Sequence, residues 1–381
     1  MDERMKFITY YLEHEWPMAS LCREFGISRK TGYKWVRRYF GDGLEDHSRA
    51  PRRHPQSVPE EVAQAVVAAR VVHPTWGPKK LQVWLKRQDG SVGWPAASTI
   101  GELLKREGLT VARRRRRTIR RYGEPFVGCD QANAVWSADL KGWFRTADGC
   151  RCDPLTITDN YSRYLLRCQV VSPASYTAIK PIFEAAFREY GLPRAIRTDN
   201  GPPFASTTVG GLSRLSIWWL KLGITPERIE PGKPAQNGRH ERMHRTLKHD
   251  TANPPQPTLR AQQRAFDRFR TEFNRQRPHE ALGMDTPGQR YQPSPRPYPL
   301  LLPQVSYPDD MVVRRVHPQG DLRWRNRQIY LSETLAGELV GCRQVDDDRW
   351  DLYFAHLKLA QLDSARYRLI HLTQPKHENK D

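Results

Sequence analysis

Three carboxylates stand in contexts suited to phosphodiester chemistry. Asp139 lies inside Ala134-Val135-Trp136-Ser137-Ala138-Asp139-Leu140-Lys141-Gly142-Trp143-Phe144, whose alternation reads as one central strand. A carboxylate flanked by apolar residues is costly there unless a cation meets it. Asp199 ends a shorter strand, in Arg197-Thr198-Asp199-Asn200-Gly201-Pro202-Pro203-Phe204, and Asn200-Gly201 turns the chain away. Open α/β sheets place ligands near such strand ends. Glu241 opens a helix after the loop Pro231-Gly232-Lys233-Pro234-Ala235-Gln236-Asn237-Gly238, and helical spacing sets Glu241, Arg245 and Lys248 on one face. Taken singly, each has a bland reading as a turn, a partnered core acid or a solvated helix face. Taken together, they suit two Mg2+ ions about 4 Å apart, which neutralise a phosphoryl group, activate the attacking oxygen and stabilise the leaving one.

The composition points to the same substrate. Sixty-two Lys and Arg against 42 Asp and Glu leave a formal charge of +20, which calls for a polyanionic partner, nucleic acid first. A basic surface serving solubility alone is the plainer alternative. No apolar run approaches the roughly 20 residues of a membrane span, and Met1-Asp2-Glu3-Arg4-Met5-Lys6 lacks a signal-peptide layout. Cys22, Cys129, Cys150, Cys152, Cys168 and Cys342 show neither disulfide nor zinc-finger spacing and read as reduced, structural thiols. The expectation is a cytoplasmic, nucleoid-associated bacterial protein.

The elements that would position this chemistry follow in order. Glu3–Glu13 reads as a helix with Met5, Ile8, Thr9 and Leu12 on its apolar face. From Met18 to Tyr39, Gly26 can close one helix and Ser28 can cap the next. The second helix would present Arg29, Lys30, Thr31 and Lys34 outward and pack through Tyr33, Val36 and Arg37. That is a helix-turn-helix with a basic recognition helix, or else a helical hairpin with a solvated basic face. Residues 42–58 are linker-like. Glu60–Val72, Lys79–Arg87 and Pro95–Arg106 form a second helix-turn-helix-like unit. Arg113, Arg114, Arg115, Arg116 and Arg117 repel one another and should track a DNA backbone; a nuclear-localisation reading suits the remainder poorly.

From about Pro125 the period changes. Strands over 134–144, 154–159 and 164–171, a helix over 175–190 and the Asp199 strand give a ribonuclease-H-like order. A helix over 206–223, a strand over 224–229, the Glu241 helix and a helix over 259–275 complete it. After a Pro-rich bridge, 311–359 alternates in short strands expected to form a small β-barrel, with a polar tail after Leu372. The fold expected is therefore multidomain: N-terminal all-α helix-turn-helix units, a central α/β ribonuclease-H-like core and a C-terminal small β-barrel. The boundaries fall at 1–50, 57–110, 111–124 (an Arg-rich linker), 125–290 and 300–372.

Residues 125–290 resemble the catalytic core of retroviral-type integrases, in the form found in bacterial insertion-sequence transposases. The motifs carrying the resemblance are Trp136 to Gly142, Asp159-Asn160-Tyr161-Ser162-Arg163, Arg197 to Phe204, Pro231 to Arg242, and Phe273 to Leu282. The resemblance implies an acidic triad of Asp139, Asp199 and Glu241 that holds two Mg2+ ions, which Mn2+ can replace. It also implies Arg245 and Lys248 near the DNA end. The activity implied is 3′-end cleavage and strand transfer at terminal inverted repeats, that is, DNA integration and recombination. A homo-oligomer on double-stranded DNA, holding element ends and target, goes with it. The interval from Asp199 to Glu241, 42 residues, is longer than usual, the excess falling around Thr207 to Ser216. Asp159 reads as structural. Two alternatives remain. One is a non-catalytic DNA-binding regulator. The other is a zinc metalloprotease, since His240-Glu241-Arg242-Met243-His244 satisfies HExxH with Glu272 as the third ligand on offer.

Overall fold

The computed structural model describes residues 3–41, 43–46, 57–110, 128–140, 142–206, 209–229 and 238–371. The chain forms two compact units, Met1–Pro59 and Glu60–Asp381.

The first unit is three helices, α1 (Glu3–Leu12), α2 (Met18–Glu24) and α3 (Arg29–Tyr39). Gly26, at φ +60, closes α2 so that the Ile27 N–H reaches the Cys22 carbonyl at 2.9 Å. Ser28 then caps α3 by accepting the Thr31 N–H at 3.2 Å. The packed faces differ from those expected. On α1, Phe7 and Ile8 are buried, while Met5 and Leu12 are 43% and 41% exposed and the Thr9 hydroxyl donates to the Met5 carbonyl. Phe7 sets this rotation by meeting Phe25 and Trp35 edge-on, each at 5.4 Å. On α3, Gly32 is buried against Cys22 and Phe7, so the contact stripe runs through Gly32, Trp35 and Val36. Tyr33 is 55% exposed and Arg37 also faces water.

The second unit opens with α4 (Glu60–Val72), α5 (Pro78–Gln88) and α6 (Ala97–Arg106), closed around Val66, Trp76, Leu81, Leu85, Ile100 and Leu104. A mixed sheet follows: β1 (Val135–Leu140), β2 (Phe144–Arg145), β3 (Arg151–Asp159), β4 (Leu165–Val171), then α7 (Tyr176–Tyr190), β5 (Ala195–Thr198), a 3-10 turn, α8 (Arg214–Lys221) and β6 (Thr225–Arg228). Its order is β4-β3-β1-β5-β6, with β1, β3 and β4 antiparallel and β5 and β6 parallel to β1. The strand expected over 134–144 is broken. Leu140 pairs with Leu155 but Phe144 with Cys152, so β2 continues β1 along β3 past a one-residue bulge.

Alternation sorts the two sheet faces. Trp136, Leu155, Ile157 and Leu166 meet α7 and α8 through Phe183, Phe187, Trp218 and Trp219. Cys152, Leu165 and Cys168 meet α9 (Gly238–Thr251) and α10 (Leu259–Arg275) through Met243, Leu247, Phe266, Phe269 and Phe273. This three-layer arrangement is the ribonuclease-H-like core. A short α11 (Pro287–Arg290) leads to a strap over the α7 side, where Tyr291 stacks on Tyr164 at 4.4 Å.

The C-terminal region holds β7 (Val312–Arg315), β8 (Asp321–Trp324), β9 (Arg327–Tyr330), β10 (Leu339–Asp346), β11 (Arg349–Phe354), β12 (Leu357–Asp363) and β13 (Arg368–His371). They do not close into a barrel. β13-β12-β11-β10-β7 is an open antiparallel sheet and β8-β9 a separate hairpin. Closure is not needed to bury the inner face, because the core supplies Val209, Leu212, Ile217 and Leu220 to the same apolar cluster as Val340, Leu352, Phe354 and Leu362. Among the described residues no helix is long and apolar enough to cross a membrane.

Candidate active site

The register of the sheet places the two aspartates. Val135, Trp136 and Ser137 of β1 pair in parallel with Ala195, Ile196 and Arg197 of β5. Two residues further on, Asp139 lies within β1, and Asp199 follows the end of the neighbouring β5. Alternation turns Asp139 to the face under α9. There it sits across from Thr156, with its Oδ2 3.6 Å from His244 Nδ1 and its side chain 15% exposed. Asp199 lies one residue beyond β5. Burial raises its pKa above the ordinary carboxylate range, opposed by the Gly201 N–H, which donates to Oδ1 at 3.3 Å. Asn200 Nδ2 donates to the Ile229 carbonyl at 2.9 Å, tying this turn to the end of β6.

α9 is held on β3 by its buried side. His240, Met243, His244, Leu247 and Thr251 face the sheet. Thr156 Oγ1 lies 3.0 Å from His240 Nε2 and 2.6 Å from His244 Nε2, and Thr158 Oγ1 lies 3.4 Å from His240 Nδ1. Burial pushes His240 down to about 4, so it is neutral near pH 7. The histidines of the HExxH pattern thus converge on a threonine hydroxyl. Glu272, the third zinc ligand on offer, is engaged elsewhere, its Oε1 2.9 Å from His73 Nδ1.

Glu241, Arg245 and Lys248 share the exposed side of α9. The loop before α9, residues 230–237, lies outside the described residues. Among the described residues, no group of three or more His, Cys, Asp or Glu is arranged to hold a metal ion. The sheet therefore sets Asp139 on β1 and Asp199 just past the end of the adjacent β5, and Glu241 does not close a ligand set with them. Their donor chemistry still fits a hard divalent cation. All three offer carboxylate oxygens, and Asp199 is half-buried with the Gly201 N–H donating to it.

The turn below the site is built by Asp159, fully buried, which accepts from the Asn133 N–H at 2.9 Å and from the Ser162 N–H and hydroxyl at 2.8 and 2.5 Å. Of the cations expected at DNA, Arg29, Lys30 and Lys34 are exposed and Thr31 is half-buried on α3, while Arg113 to Arg117 lie outside the described residues. A group absent from the sequence reading is Lys80, Arg163, Arg242 and Arg277, drawn from α5, the β3–β4 turn, α9 and the end of α10. Arg163, Arg242 and Arg277 each fall inside a motif of the resemblance, in Asp159 to Arg163, Pro231 to Arg242 and Phe273 to Leu282, whereas Lys80 carried no signal.

A mixed five-strand order with two helices on each face, preceded by two helical units, defines a protein of the integrase-core class. Residues 130–234 and 222–287 match families described as Integrase core domain, 3–52 a Helix-turn-helix domain and 31–104 a Homeodomain-like domain. The chain is 31% identical over 194 residues to the insertion element IS407 uncharacterized 31.7 kDa protein of Burkholderia multivorans, covering 50% of this chain and 67% of that one. It is 30% identical over 249 residues to the insertion element IS476 uncharacterized 39.2 kDa protein of Xanthomonas euvesicatoria, covering 64% and 68%. Among solved structures, the HTLV-2 integrase catalytic core domain in complex with magnesium is 17% identical over 43% of this chain and 99% of that one. Its TM-score of 0.34 is too low to carry an argument. The chain belongs to the integrase and transposase family of insertion elements. It is a metal-dependent polynucleotidyl transferase acting on DNA.

Proposed function

We propose that Asp139, Asp199 and Glu241 hold magnesium ions and that the protein cuts and joins the ends of its own insertion sequence. The observation carrying this is the parallel pairing of β1 and β5, which leaves Asp139 on β1 and Asp199 just past the end of β5, with Asp139 packed against His244 of α9, the helix that carries Glu241. Bound metal would neutralise the phosphoryl group and activate first water and then a 3′-OH. Two ions, with Mn2+ as a substitute, suit three carboxylates that leave coordination positions open.

The chain's own residues do the positioning. His244 and Thr156 fix the α9 face against Asp139, and Arg245 and Lys248 lie on the Glu241 side, one and two turns further along, to meet backbone phosphates. Residues 1–50, with Arg29, Lys30, Thr31 and Lys34, and residues 57–110 would read the terminal repeats. The Arg113–Arg117 run in the 111–124 linker would follow the backbone, residues 125–290 would act, and 300–372 would buttress the core. Two ends must be handled together, so a homo-oligomer on DNA in the bacterial cytoplasm fits the reaction.

The test is metal-dependent nicking and joining of a labelled duplex carrying the element's end. Asp139→Asn, Asp199→Asn and Glu241→Gln should each lower joining by three or more orders of magnitude, about 4 kcal/mol in barrier, with end binding retained. Normal joining by any one of them sinks the assignment.

A further inference from the structure

We propose that Lys80, Arg163, Arg242 and Arg277 together form a seat for one DNA backbone phosphate, at the seam between the second helical unit and the first turn of α9. The inference rests on the reading that the protein works on DNA. It adds a contact that joins two parts of the chain.

The seam is fixed by direct contacts. His73 Nδ1 meets Glu272 Oε1 at 2.9 Å, and Arg277 Nη1 donates to Thr75 Oγ1 at 3.2 Å while its guanidinium carbon sits 6.0 Å from the centre of the Trp76 ring. Further along α5, Arg87 Nη2 donates to the Met284 carbonyl at 3.0 Å. On the other side, Arg239 Nη1 donates to the Asn160 carbonyl at 2.8 Å, which docks the start of α9 on the turn carrying Arg163. These contacts set Arg277 against the segment that leads into α5, which carries Lys80, and set the start of α9, which carries Arg242, on the turn that carries Arg163.

Few acids answer them. Lys80 is half-buried and feels Arg277 and Arg242, with Glu280 opposing. Arg163 is half-buried beside Arg239 and Arg242. Among the described residues neither the Lys80 nor the Arg163 side chain has a hydrogen-bond or ion-pair partner. The carboxylates near Arg277 are committed in part, Asp250 at 3.9 Å with His249 also on it and Glu272 on His73. His279, wedged among Lys80, Arg277 and Arg163, keeps a buried Nε2 without a partner.

Buried cations are costly, and neighbouring like charges add to the cost. Lys80 is pushed down to about 8, Arg163 to about 10 and His279 to about 3, burial being the largest cause in each. An anion among them would offset the like-charge repulsion and give the buried cations a counter-charge. Lysines and arginines that merely solvate a surface are exposed and carry no such cost. Arg242 follows Glu241 directly, so the seat lies within one residue along α9 of a candidate catalytic carboxylate.

The experiment uses full-length protein, no metal, and a short duplex of arbitrary sequence over a salt series. Lys80→Met should weaken binding about tenfold and lower the salt slope by about 1. The same variant should raise the DNA-free melting temperature, since it removes repulsion. Arg163→Gln should repeat both effects, and Lys80→Arg should restore the slope. A lower DNA-free melting temperature with an unchanged slope would make Lys80 a structural lysine and overturn the seat. In a second arm, inorganic phosphate is titrated at constant ionic strength. Protection by phosphate that depends on Lys80 as strongly as duplex binding does would make this a free-anion site and overturn the DNA assignment. Duplex binding with the expected slope but no metal-dependent joining would remove the catalytic reading and leave the seat intact. A wild type without DNA affinity would remove both.

Discussion

Thr156 organises more of the site than any charged residue. A hydroxyl has one proton to give and two lone pairs. If His244 keeps its Nδ1 proton toward Asp139 Oδ2, its Nε2 accepts from Thr156 across 2.6 Å, and Thr156 accepts in turn from His240 Nε2 at 3.0 Å. Thr156→Val leaves buried imidazole nitrogens unpaired and should cost about 1–3 kcal/mol by denaturant titration. It should also slow joining, while Thr156→Ser keeps both; an unchanged Val variant would remove Thr156 from this role. His279 carries a pH signature of its own. Its folded pKa, about 3, lies below the unfolded value near 6.5, so the unfolded chain binds the extra proton between them. Its contribution is fully present above pH 6.5 and is lost as pH falls toward 3, on the order of 5 kcal/mol in all. His279→Gln should flatten the melting temperature against pH over that window, and an unchanged slope would refute the assignment. At this scale the strand context of Asp139 and the helix start at Glu241 were legible in the sequence, because local patterning marks both. The Lys80 group was not, since residues 80 and 277 acquire a common meaning only when α5 meets the end of α10.

Local signals carried most of the elements. Gly26 and Ser28 name a helix end and a helix start, and α10 falls at Leu259–Arg275, as its spacing indicates. Two kinds of error remained. Helix faces went wrong where one residue dominates the packing, Phe7 on α1 and Gly32 on α3, because period alone does not weigh a phenyl ring or a missing Cβ. The barrel went wrong because alternation signals a strand with one buried face without saying what covers that face. Here α8 and its flank do. Gly32 offers the direct test. A Cβ there would lie 2.6 Å from Cys22 Sγ and 2.9 Å from Phe7 Cζ. Gly32→Ala gains up to about 1 kcal/mol of helix propensity but overpacks by about 1–3 kcal/mol. The melting transition of the first unit should therefore drop, and a rise would show that Cys22 yields freely.

At the scale of the molecule, the two ends of the chain stand in different relations to the core. Met1–Pro59 is a compact unit with its own buried centre of Phe7, Ile8, Leu21 and Cys22. The C-terminal sheet has no such independence, because its apolar cluster is completed by Val209, Leu212, Ile217 and Leu220 from the core. Truncation should separate these cases. Removing residues 1–58 should leave a fragment that melts as the core does in the full chain and still nicks DNA with metal, but prefers element ends less over random duplex. Equal loss on both duplexes would count against specific recognition by α3. Removing residues 304–381 uncovers the flank of α8, and exposed leucines of that kind favour aggregation. The expected result is an insoluble or early-melting core, read by light scattering and calorimetry. A soluble fragment with unchanged melting and full joining would mean that α8 is stable uncovered and that the sheet serves some purpose other than support. Among the described residues the sheet contributes none of the candidate catalytic carboxylates, so its covering of α8 is the physical reason for its place in the fold.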